Sequence, residues 1–248
     1  MTNTRILGVL GGMGPLASAH FMLRLTLLTP AERDQDHIPA VLWSDPRVPD
    51  RTRGKLSGGD DPLPWLLRGL QGLKAAGCGA IAIPCNTAHG WYEEMSAHAG
   101  LPILHIVDAA ADDLRRQRIP SGTIGLMGTQ ATLNLRLYQN RLEQQGWNCL
   151  TPTEHEMDTL VSPAIADVKA NRVAKAYAPL ASVVQALSAR GAGAVVLGCT
   201  EIPLGIQAGP HHTLGVPLID SIDALAQSAI NWARSTGRDQ LGARAASP

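Results

Sequence analysis

The chain has 248 residues, 45% of them hydrophobic and 17% charged, enough apolar material for one large domain or two lobes of about 100–120 residues each. Lys and Arg (21) balance Asp and Glu (21), so no basic field is available for nucleic acid or another polyanion. No apolar run reaches the length of about 18 residues that a membrane-spanning helix needs.

The opening residues contain one Arg and no long apolar segment or small-residue cleavage site, unlike a secretory signal. A cytoplasmic location is therefore expected, with Cys78, Cys85, Cys149 and Cys199 as free thiols rather than disulfides. Short apolar runs with strand character fall at Ile6–Leu10, Ala40–Trp43, Ala80–Ile83, Ile103–Ile106, Thr123–Met127, Ala194–Leu197 and Val216–Ile219. Between them Pro15–Leu28, Leu63–Ala76 and Ala174–Ala189 repeat their apolar residues at helical spacing. This alternation predicts an α/β fold with parallel sheets.

Several segments carry competing readings. Gly11–Ala17 follows the first strand and holds Gly12-x-Gly14-x-x-Ala17, a loose dinucleotide fingerprint. No acidic residue follows at the spacing that a nicotinamide cofactor requires, so binding of a small anion at the Gly turn and helix start is favoured. Residues 46–64, rich in Pro, Gly and charge, read as a solvated loop or as a mobile lid bringing Arg51 to a carboxylate. Lys169 would by default be a solvated helix residue. Cys85 and His89 are four apart, as in some zinc sites, but Pro203 stands at the second copy's equivalent position and no metal is expected. His211 and His212, beside Gly209-Pro210, read as surface residues. The segment 235–248 lacks apolar periodicity and is expected to fray.

An internal repeat organises the rest. Leu73–His89 (LKAAGCGAIAIPCNTAH) aligns without a gap on Leu187–Pro203 (LSARGAGAVVLGCTEIP), 114 residues on. Leu101–Ala109 (LPILHIVDA) aligns on Val216–Ala224 (VPLIDSIDA) at an offset of 115, and Ile6–Gly12 loosely on Ile124–Thr129. Three matches in one order predict two Rossmann-like lobes related by a pseudo-twofold axis, with the functional cleft between them. The lobes are expected at 1–108 and 109–220, with a C-terminal helix near 221–234 joining the first.

The repeat puts Cys85 and Cys199 at one equivalent place, the carboxyl end of a buried strand, where ligands sit in parallel sheets. Two facing thiols suit proton exchange at a stereocentre. One thiolate removes a proton from one face while the other thiol delivers to the opposite face, and an ordinary pKa of about 8.5 keeps both forms accessible. Asn86, Thr87, Thr200 and nearby backbone N–H groups are placed by sequence to stabilise a developing enolate. Cys78 and Cys149 lack cysteine partners in the repeat and read as core thiols.

Gly11–Pro15 (GGMGP), Pro49–Thr52 (PDRT), Pro84–His89 (PCNTAH), Thr151–Glu154 (TPTE), Val168–Ala170 (VKA) and Gly198–Glu201 (GCTE) together resemble the aspartate/glutamate racemase family, most closely its aspartate racemases. The resemblance implies cofactor-independent racemisation of a small acidic amino acid, with Cys85 and Cys199 as the two catalytic groups. It implies that Arg51 and Lys169 bind the side-chain carboxylate. It also implies that Met13, Gly14, Asn86, Thr87, Thr200 and Glu201 surround the α-carboxylate and proton-transfer site. A homodimer is implied too. Glutamate racemases carry a His where Glu201 stands, so they resemble the chain less. Left open are a related cysteine isomerase acting on another small carboxylate, a non-catalytic two-lobed dicarboxylate binder and, weakest, a nicotinamide-dependent oxidoreductase.

Overall fold

The computed structural model describes residues 5–235, so the expected frayed segment lies almost wholly outside the described residues. The chain starts with β1 (Leu7–Gly11), α1 (Pro15–Leu28), β2 (Ala40–Ser44), α2 (Arg51–Leu56), α3 (Leu63–Ala75), β3 (Ala80–Ala82), α4 (Tyr92–Ala99) and β4 (Ile103–Leu104). These four strands form one parallel sheet in the order β2-β1-β3-β4. Helix α5 (Ile106–Arg116) leads into the second half. There follow β5 (Gly122–Gly128), α6 (Gln130–Asn134), α7 (Gln139–Glu143), β6 (Trp147–Leu150), α8 (Glu154–Glu156), α9 (Ser162–Lys169), α10 (Val173–Ala189), β7 (Val195–Gly198), α11 (Glu201–Gln207), β8 (Leu218–Asp220) and α12 (Ser221–Arg234). Their sheet is again parallel, in the matching order β6-β5-β7-β8.

The two orders superimpose the repeat: β3 and β7, which lead to Cys85 and Cys199, occupy the same place in their sheets. Both are wholly buried, as strands covered by helices on both faces must be. The expected α/β architecture of two similar lobes is therefore present.

Local differences from expectation have physical causes. Strand β6, WNCL, lies at an edge and is partly exposed, so it carries no continuous apolar run to betray it. Strand β4 stops at Leu104 because His105 turns out to cap α5, its Nδ1 accepting the Val107 N–H at 3.2 Å. The Pro- and Gly-rich stretch 46–64 is not merely a loop. It contains α2, capped by Asp50, which accepts the Arg53 N–H at 2.9 Å.

Helix α12 packs on α1 and α5. Phe21 and Leu25 of α1, Ala110 and Leu114 of α5, Leu225 and Ile230 of α12, and strand residues of both sheets share one apolar core. A second cluster, including Leu10, Leu66, Leu70 and Ile81, covers the other face of the first sheet. No disulfide joins the four cysteines; Cys78 is buried and Cys149 half-buried. His211 and His212 are exposed. Among the described residues no helix is long and apolar enough to cross a membrane.

Candidate active site

Beyond β3 the Cys85 N–H folds back to the Ile83 carbonyl at 2.8 Å, and beyond β7 the Cys199 carbonyl accepts the Ile202 N–H at 3.0 Å. Both thiols are buried, and both line one cavity between the lobes. Met13, Arg51, Asn86, Thr87, Lys169, Thr200 and Glu201 line the same cavity, so nine of the ten residues singled out by sequence converge. Gly14 does not reach the space between the thiols. It lines an adjoining outer cavity of about 350 Å³, together with Gly12, Pro15, Arg51, Lys169 and Glu201. The inner space is nearly closed, at about 10 Å³.

Gly12 makes this junction possible. Its φ is +92°, and a side chain there would lie 2.4 Å from the Asp45 backbone oxygen. The Gly12 N–H donates to Ser18 Oγ at 2.9 Å, which ties the turn to α1.

The first cysteine turn is held by neutral groups. Tyr138 Oη donates to Asn86 Oδ1 at 2.5 Å, and Asn86 Nδ2 donates to Ser221 Oγ at 3.1 Å. The Thr87, Thr129 and Thr132 hydroxyls form a triangle with sides of 2.9–3.1 Å. His89 Nε2 accepts the Ile106 N–H at 3.2 Å, which makes Nδ1 the protonated nitrogen, donating to the Cys85 carbonyl at 3.0 Å. Burial lowers the His89 pKa to about 4, so the ring is neutral. Both ring nitrogens are taken by backbone, leaving neither for a ligand.

The second turn is held by a carboxylate. Cys199 Sγ donates to Glu201 Oε2 at 3.1 Å and Thr200 Oγ1 donates to the same oxygen at 3.3 Å. The other oxygen, Oε1, is buried without a partner. Burial and the neighbouring Glu201 charge push the Cys199 thiol well above its ordinary range.

Two cations stand at the rim. Arg51 points inward from the start of α2, its Nη1 donating to the carbonyls of Val48 (3.0 Å) and Pro49 (2.8 Å), while its buried Nε lacks a partner. Lys169, at the end of α9, lies 4.0 Å from Asp50. That position starts with Thr153, whose side chain and Glu156 form a reciprocal cap opening α8. A π-helical turn at Met157–Val161 then leads on into α9. Burial alone would raise the Asp50 pKa, but the Arg53 N–H, Lys169 and Arg51 more than offset it and the carboxyl stays below its usual value.

Asp50, Thr52 and Thr129 also line the inner cavity and were not singled out by sequence. The repeat held a signal for Thr129: it follows β5 as Gly12 follows β1. Asp50 and Thr52 flank Arg51 in PDRT.

Residues 10–229 match the family model described as Asp/Glu/hydantoin racemase. An aspartate racemase of Picrophilus torridus is 31% identical, with a TM-score of 0.82 over 96% of this chain and 98% of its own. A putative Asp/Glu racemase from Yersinia pestis is 26% identical, with a TM-score of 0.75 over 93% of this chain and all of its own. The broad specificity amino-acid racemase RacX of Bacillus subtilis is 26% identical over 91% of this chain and 97% of its own.

Proposed function

Since the chain belongs to the Asp/Glu/hydantoin racemase family, we propose that it racemises a small acidic amino acid, aspartate foremost, by exchanging the Cα proton between Cys85 and Cys199 without a cofactor. The observation that carries this reading is the convergence of two thiols, from equivalent turns of two similar lobes, on one nearly closed cavity rimmed by Arg51 and Lys169. The likeness to the Picrophilus aspartate racemase supports aspartate as the acid.

In this mechanism Arg51 and Lys169 grip the side-chain carboxylate, the Arg through charge-assisted N–H donors. The α-carboxylate lies against Asn86, Thr87, Thr200 and the backbone at Met13, with Gly14 at the approach. One sulfur, as thiolate, takes the Cα proton. The electron pair moves onto the α-carboxylate, where the surrounding donors stabilise the added charge. The other sulfur, as thiol, delivers its proton to the opposite face, and the two protonation states are exchanged. Glu201 accepts the Cys199 proton in a hydrogen bond and so favours Cys199 as the resting thiol, which leaves Cys85 as the first base. The free Glu201 Oε1 suits the substrate ammonium.

The test is solvent exchange. In D2O, folded and reduced protein is expected to replace the Cα proton of both L- and D-aspartate by deuterium, read by proton NMR and paired with polarimetry. Absence of exchange with either enantiomer of aspartate or glutamate would sink the reading and favour a dicarboxylate binder. A broader range of acids is a second reading, favoured by the roomy outer cavity and the likeness to RacX.

A further inference from the structure

Tyr138 and Ser221 lie outside every family motif noted in the sequence, yet both are fully buried beside the cavity and hydrogen-bonded to Asn86. Their chemistry fixes how Asn86 stands. Ser221 has one hydroxyl hydrogen, and it goes to the Leu197 carbonyl at 2.8 Å, a group that only accepts. Toward Asn86, therefore, Ser221 offers only lone pairs, and the amide must present Nδ2 to it. Oδ1 is then left for Tyr138, whose hydroxyl donates at 2.5 Å. Burial raises the Tyr138 pKa far above its ordinary value, so the phenol keeps that proton.

This accounts for the acceptor and for one of the two amide hydrogens of Asn86. The second Nδ2 hydrogen has no partner among the described residues, and Asn86 lines the cavity beside Cys85. An amide pinned at both ends presents that N–H without the rotation a free Asn would retain.

The same contacts tie the two cysteine turns together. Asn86 adjoins Cys85, Leu197 lies two residues before Cys199, and Ser221 links them. Tyr138 also braces the second turn: a side chain at Gly198 would lie 3.1 Å from its ring carbon Cε2. The ring thus lies against the residue before Cys199 while its hydroxyl holds the residue after Cys85.

We propose that Tyr138 and Ser221 are positioning residues for the substrate carboxylate. They lock the Asn86 amide with its acceptor turned away from the substrate and its remaining N–H turned toward it. The inference rests on the racemase reading for its catalytic consequence but not for its effect on binding.

The experiment is a double-mutant cycle on Tyr138→Phe, which removes the hydroxyl and keeps the ring against Gly198, with Asn86→Ala as the second change. Tyr138→Phe is expected to lower kcat for Cα-deuterium exchange of aspartate by about tenfold or more, with a smaller change in KM, because the carboxylate gains charge on the way to the transition state. In the Asn86→Ala background the same change is expected to have almost no further effect. Ser221→Ala is expected to follow the same pattern and serves if Tyr138→Phe does not fold. Unchanged kcat, or a loss of equal size in both backgrounds, would overturn the assignment. Succinate binding by calorimetry separates the two claims. If the wild type exchanges no proton, the racemase reading fails, while the positioning role stands or falls on whether Tyr138→Phe weakens succinate binding only when Asn86 is present.

Discussion

The turn after β3 and the turn after β7 share backbone position and strand order, yet differ in what surrounds the sulfur. Cys85 is followed by Asn86 and Thr87, held by an amide, a phenol and hydroxyls. Cys199 is followed by Thr200 and Glu201, whose carboxylate takes the thiol hydrogen bond. The helix caps after β4 and β8 diverge in the same way. His105 caps α5 and Asp220 caps α12 from equivalent repeat positions. Burial, with His89 and Arg141 nearby, drives His105 down to about 2, whereas burial and Asp223 drive Asp220 up to about 7. A duplicated scaffold has kept its geometry and let its charges part, so the two thiols are alike in place and unlike in the groups that surround them.

Removing either sulfur is the strongest way to break the comparison. Cys85→Ser and Cys199→Ser are each expected to lower racemisation by about 10²–10⁴-fold, the usual worth of a positioned acid or base. If Cys199 rests as the thiol, the two variants will also differ in which enantiomer still exchanges with solvent. Full activity in either variant would refute the two-base assignment.

Arg51→Lys keeps the charge but loses the fork of donors. It is expected to raise KM for aspartate by about tenfold, with kcat less affected, in steady-state kinetics. Glu201→Gln sharpens the contrast between the turns. Loss of the carboxylate charge lowers the Cys199 pKa, so iodoacetamide labelling of Cys199, followed by mass spectrometry, should speed up several-fold near pH 8 while Cys85 labelling stays as it was.

The smallest effect is on stability. Because the Asp220 pKa in the folded chain is above its unfolded value of 3.8, the folded form holds a proton that the unfolded chain has released between pH 4 and about 7. Stability from this group is present at low pH and is lost as pH rises through that window. Asp220→Asn, which still caps α12, should therefore be more stable than the wild type by about 1–2 kcal/mol at pH 8, with no such gain near pH 4, in urea unfolding followed by circular dichroism.

Much of this was legible because it is local. Strand-to-turn patterns place both cysteines, and the repeat pairs them without any contact information. Arg51 was harder: its inward course depends on Asp50 capping α2 and on the Val48 and Pro49 carbonyls holding the guanidinium, inside a stretch whose composition reads as loop. Strand β6 was lost because an exposed edge needs little hydrophobicity. Tyr138 and Ser221 left no trace, since their partners lie 52 and 135 residues away from them at Asn86 and nothing in their neighbours' sequence marks such a bond.

The apolar core that α1, α5 and α12 share with both sheets has a mechanical consequence. Swinging the lobes apart as rigid jaws would wet that core, at about 25 cal/mol for each Å² exposed. Less apolar surface is at stake at the rim, where the Asp50 cap of α2 lies 4.0 Å from Lys169 and the Lys55 ammonium stands 4.1 Å from the Trp91 ring, contacts that water replaces at little cost. The lobes are thus braced through the shared core, and the rim is where the fold resists displacement least.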